Sequence, residues 1–82
     1  MGGDIVFKDS AFKHGYTEED IYNAIQERRY DELFDGENRY LLIGSDRNGN
    51  LIEILYNLLE DDQIRIFHAM KCRKEYYALL SR

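Results

Sequence analysis

Eighty-two residues make one domain, near the lower limit at which an apolar core alone sustains a fold. Hydrophobic residues are 44% of the chain, with seven Tyr and four Phe, which is too much core material for a disordered protein. The net charge of −5 excludes a generically basic nucleic-acid binder, since phosphate contacts need Lys and Arg.

The opening Met1-Gly2-Gly3-Asp4 lacks the basic and apolar regions of a secretory signal. No apolar run is long enough to cross a bilayer, so the expectation is a soluble, cytoplasmic protein without a membrane partner. Residues 8–14 are expected to form one or two helical turns ending at Gly15. Thr17-Glu18-Glu19-Asp20 then reads as a helix start, with Thr17 capping and three acids at the positive end of the dipole. Ile21, Ala24 and Ile25 recur at helical spacing, which predicts a helix over Thr17–Arg28.

Four strand-like runs follow. Tyr30–Phe34 leads into Asp35-Gly36, a pair suited to the positive φ angles of a tight hairpin. Arg39–Gly44 precedes an Asn48-Gly49 turn, Leu51–Leu58 is rich in Ile and Leu, and Gln63–Ala69 comes after the acidic turn Glu60-Asp61-Asp62. Short connections force antiparallel pairing, so these runs predict a four-stranded meander. Residues 71–81 are read as a closing helix with Cys72, Tyr76, Leu79 and Leu80 on its apolar stripe. Cys72 is the only cysteine, which excludes an intramolecular disulfide and fits a reducing compartment. Basic neighbours would favour its thiolate, whereas its place on the stripe reads as an inert buried thiol. The expected fold is a single α+β domain over residues 1–82: two N-terminal helices, the antiparallel meander, and a C-terminal helix.

Charge is unevenly divided. Residues 1–62 carry six basic against fifteen acidic side chains, while residues 63–82 carry five basic residues against Glu75 alone. The tail can therefore face an anionic partner, or simply present a solvated basic surface.

Several short motifs, taken in order, resemble one known family. Lys13-His14-Gly15 leading to Thr17-Glu18-Glu19, Arg39-Tyr40 with Ile43-Gly44, the Asn-Gly turn, the strand ending near Tyr56, Arg65-Ile66-Phe67-His68-Ala69, and Glu75 with Tyr76-Tyr77 are similar to the BrnT-type toxins of the RelE superfamily. The match runs from about Phe7 to Leu80. The family usually opens with a Trp-Asp pair, where this chain has Phe7-Lys8-Asp9 and no Trp. Where the family reads Arg-Ile-Ile-Ser-Ala-Arg, this chain has His68 for Ser and Met70 for the second Arg. The resemblance implies a RelE-like fold and a metal-independent ribonuclease that cuts RNA, free or on the ribosome. It also implies a neutralising antitoxin partner, a hetero-oligomer with it, and no cofactor.

Metal-free RNA cleavage needs a base for the ribose 2′-hydroxyl, a cation for the phosphorane and an acid for the leaving 5′-oxygen. Arg65 through Tyr77 is the one segment where His, Arg, Lys and Tyr cluster. Arg65 and Arg73 are candidate catalytic phosphate clamps and His68 the candidate proton-transfer group. Lys71, Lys74 and Tyr77 are candidate RNA-binding residues, with Tyr77 stacking on a base. Each has a plainer reading. Arg73, Lys74 and Tyr77 fit the solvated face of a surface helix. Strict alternation puts His68 with Ile64, Ile66 and Met70, on the face opposite Arg65 and Phe67, as a partly buried structural residue; a bulge would reverse this. His14 reads first as a structural residue at the helix junction, with catalysis as the alternative. Asp46, Asn48 and Asn50 alternate like a calcium loop but lack the closing Glu, so no metal is expected. The rival to the nuclease is a catalytically inactive binding module on the same fold, favoured by net acidity, Met70 and the absent Trp.

Overall fold

The computed structural model describes residues 4–81. The Met1-Gly2-Gly3 opening and Arg82 of the sequence readings lie outside the described residues. Thr17 starts helix α1 (Glu18–Gln26) with a full capping box: its hydroxyl accepts from the Asp20 amide at 3.2 Å, and the Asp20 carboxylate accepts from the Thr17 amide at 3.3 Å. The helix stops two residues short of the predicted Arg28. Glu27 leaves helical geometry, and the Arg28 guanidinium instead donates to the Ile25 carbonyl at 2.9 Å, satisfying a free C-terminal acceptor. Ile21, Ala24 and Ile25 are buried, as their spacing requires.

The sheet corrects the expected four-stranded antiparallel meander. It has five strands, β1 (Ile5–Phe7), β2 (Tyr30–Asp35), β3 (Arg39–Ser45), β4 (Leu51–Leu58) and β5 (Ile64–Lys71), in the order β1-β5-β4-β3-β2. Strands β2 to β5 form the antiparallel run, but β1 pairs in parallel with β5, Ile5 opposite Ile64 and Phe7 opposite Ile66. The sheet is mixed, and the class remains α+β. The physical reason is the open edge of β5. A strand alternating Ile64 and Ile66 would leave its outer amides and carbonyls unpaired, and three residues of β1 cover them. A three-residue strand carries too short a pattern to be read from alternation.

The helices at both ends are also corrected. The first is a single four-residue 3₁₀ turn, Asp9–Phe12. The predicted closing helix over residues 71–81 is a 3₁₀ segment, Lys74–Ser81, and it starts late because Lys71 extends β5 and Cys72 still donates to the Leu51 carbonyl at 3.0 Å. In the first hairpin the positive φ falls on Asn38, at 61°, rather than on Gly36. Asn38 is held there by its own side chain, which donates to the Leu58 carbonyl and accepts from the Leu58 amide, both at 2.9 Å.

Side-chain alternation divides the core into two layers. Helix α1 and Ala11 cover one sheet face with Leu42, Ile52, Ile54, Tyr56, Ile64, Ile66 and Ala69. The other face holds Leu41, Ile43 and Cys72, partly roofed by Tyr76, Leu79 and Leu80 of the 3₁₀ segment. Helix α1 crosses β3 at Gly44, so closely that a Cβ there would overlap the Ala24 carbonyl. Glycine is needed at that position for space.

Candidate active site

The fifth strand is not regular. Leu55 of β4 faces His68 while the next residue, Tyr56, faces Ile66, so Phe67 is the extra residue of a β-bulge. The bulge resets the alternation. Ile64, Ile66 and Ala69 point toward α1, whereas Arg65 and His68 both lie on the opposite face, beside Asn57 and Leu55 of β4. The two partners are two positions apart, about 7 Å along the strand. The sequence expectation that separated His68 from Arg65 is overturned by this one residue.

Glu53, which sequence reading missed, organises the group. It lies mid-strand in β4, is fully buried, and points to the same face. A buried carboxylate requires partners, and Glu53 has them. Arg73 donates to Oε1 from its amide at 3.0 Å and from Nε at 3.1 Å, and to Oε2 from a terminal nitrogen at 2.8 Å. Nε2 of His68 meets Oε2 at 3.1 Å. Burial alone would push the Glu53 pKa up, but the bonds from Arg73, then His68, outweigh it and hold the carboxyl below its ordinary value. An ionised Glu53 has only acceptors, so Nε2 of His68 is the donor in this contact, and Nδ1 is the ring nitrogen that Glu53 does not engage. The one visible signal in sequence was a lone acid inside the apolar run Leu51–Leu58.

Arg73, expected as a phosphate clamp, directs its fork at Glu53, lies 5.0 Å over the Tyr76 ring, and donates to the Tyr76 hydroxyl at 3.1 Å. Its pKa is raised by the hydrogen bond and charge of Glu53. Arg65, half-buried, points both Nε and a terminal nitrogen at the side-chain oxygen Oδ1 of Asn57, at 3.3 and 3.1 Å. Asn57 donates in turn to the Asn38 carbonyl at 2.8 Å, which fixes that side chain from the hairpin. Cys72 is buried, and burial followed by the charge of Glu53 pushes its thiol up, against the thiolate reading.

The candidate RNA-binding residues separate. Lys71 and Tyr77 meet at the end of β5, where they line a cavity of about 350 Å³ with Tyr16, Asn50 and Leu51. Lys74 is exposed at the start of the last 3₁₀ segment and does not line that cavity. Asp46 accepts from the amides of Asn48 and Asn50, both at 2.9 Å, so the calcium-like alternation serves its own turn. Among the described residues no group of three His, Cys, Asp or Glu side chains is placed to hold a metal ion.

No family model matches the sequence, and no curated protein matches it. Among solved structures, the chain is similar to the crystal structure of the ribonuclease toxin BrnT of Brucella abortus. The TM-score is 0.69 at 12% identity, covering 88% of this chain and 99% of that one. At this identity the likeness is one of fold, and the fold is BrnT-like.

Proposed function

We propose that the chain is the ribonuclease toxin of a toxin–antitoxin pair, of the BrnT kind within the RelE superfamily. It cuts RNA in the cytoplasm without a metal. The observation that carries this reading is the Glu53–His68 pair beside Arg65 on the face away from α1, on a fold shared with a ribonuclease toxin. Glu53 orients the imidazole and stabilises the positive charge it gains when it takes a proton. Arg65 is the cation for the phosphorane, since among the described residues its fork meets a neutral amide and no carboxylate, a partner that phosphate can replace. Arg73 contributes by holding Glu53 ionised. At the far end of β5, Lys71 and Tyr77 form a separate subsite in which a base further along the RNA stacks and its phosphate meets the ammonium; Lys74 adds charge nearby. The antitoxin supplies an acidic segment that covers these basic groups.

Inducing the gene alone in a bacterium is expected to arrest growth, and Arg65→Ala to relieve the arrest at equal protein level. Normal growth at confirmed high expression would reject the toxin. It would support the second reading, a binding module that keeps only protein contacts. Arg73 favours that reading, because its fork is already engaged by Glu53.

A further inference from the structure

His14 and His68 come from different elements, and their rings stand 5.9 Å apart, edge to face at 75°. Three contacts fix this approach. The Lys8 amide donates to the Ile66 carbonyl at 2.9 Å, and the Ser10 hydroxyl donates to the Phe67 carbonyl at 2.6 Å, at the bulge itself. The Gly15 amide closes on the Phe12 carbonyl at 3.1 Å, and Gly15, at φ 89°, turns the chain away. The Asp9–Phe12 turn thus lies along the part of β5 that β1 leaves uncovered, and it sets an exposed His14 against His68.

We propose that His14 is the general acid of RNA cleavage and His68 its base, an inference that rests on the ribonuclease reading above. The assignment follows from Glu53. A carboxylate on Nε2 stabilises the imidazolium that His68 becomes on accepting a proton at Nδ1, which suits a base. His14 is exposed and has no hydrogen bond to a carboxylate among the described residues, so its ring is open to a leaving oxygen. In the step, the ribose 2′-oxygen forms a bond to phosphorus as its proton passes to Nδ1 of His68. The bond from phosphorus to the 5′-oxygen breaks, and that oxygen takes a proton from His14. The products are a 2′,3′-cyclic phosphate and a 5′-hydroxyl. Charge and protons balance with no other reactant, and Arg65 faces the non-bridging oxygens.

The test uses the full chain and one short RNA in two forms. One carries the ordinary 5′-oxygen at the cleavage site, the other a bridging 5′-sulfur, which leaves without protonation. His14→Ala is expected to lose about 10²–10⁴-fold on the oxygen form and to stay within about threefold of the parent on the sulfur form. His68→Ala is expected to lose activity on both. His14→Asn, with melting temperatures for each variant, guards against a folding defect. An equal loss on both forms, or no loss on either, would overturn the role of His14 and leave the ribonuclease intact. A parent chain silent on both forms would overturn the ribonuclease and this inference together.

Discussion

Glu53 shows how much one side chain decides here. An acid in the middle of Leu51–Leu58 is unremarkable as composition, yet in the fold it is the only fully buried carboxylate among the described residues and holds both His68 and Arg73. Breaking one side of a buried pair costs about 3–5 kcal/mol, and the solvent around Arg73, whose side chain is 45% exposed, places Glu53→Gln toward the lower end. The carboxyl is held below its ordinary 4.5 in the fold. Its contribution is therefore complete above that value and is lost as pH falls through the lower folded value. Thermal melts across pH are expected to show an acid limb that flattens in Glu53→Gln, and identical limbs would contradict the bonding described. Sequence reading named Arg65, His68 and Arg73, and the fold sets Arg65 and His68 on one face and Arg73 on Glu53; Lys71 and Tyr77, also named, line a separate cavity at the far end of β5. The partners of these side chains were not legible, because partnership depends on which residues face one another across β4 and β5.

At the scale of elements, the bulge at Phe67 separates what could be read from what could not. Alternation of Ile64 and Ile66 correctly sets the core face of β5, but one inserted residue reverses everything after it, and nothing in the composition of Phe67-His68 announces it. Helix α1 was legible because its cap, acids and apolar spacing agree. The closing segment was not: the i, i+4, i+7 spacing of Cys72, Tyr76 and Leu79 is that of an α-helix, but Cys72 is still bonded to Leu51 beside the sheet, and Tyr76 with Leu79, three apart, suits the 3₁₀ run that follows. Gly44 gives a sharp test of how α1 lies on β3. Gly44→Ala is expected to destabilise by about 1–3 kcal/mol, since helix and strand backbones must separate. In a domain this small, each kcal/mol is read as a fall of about 4–8 °C in melting temperature. An unchanged melt would contradict the close crossing.

Across the whole molecule, an acidic chain presents a local basic surface. The excess of acid in residues 1–62 sits in α1, the turns and the β2 edge, while Arg65, Lys71, Arg73 and Lys74 gather at β5 and the segment after it. On the ribonuclease reading proposed above, that division keeps RNA off most of the surface and leaves β5 and the segment after it to receive it. Chain order also explains the site: β1 pairs only with Ile64–Ile66 of β5, and His14 and His68 meet beyond that pairing. The most direct measurement is the chemistry of the RNA ends. Purified chain incubated with RNA in excess chelator is expected to leave 2′,3′-cyclic phosphate and 5′-hydroxyl termini, and His68→Ala to leave the RNA whole. Fragments ending in 3′-hydroxyl and 5′-phosphate, or cleavage undiminished in His68→Ala, would contradict it.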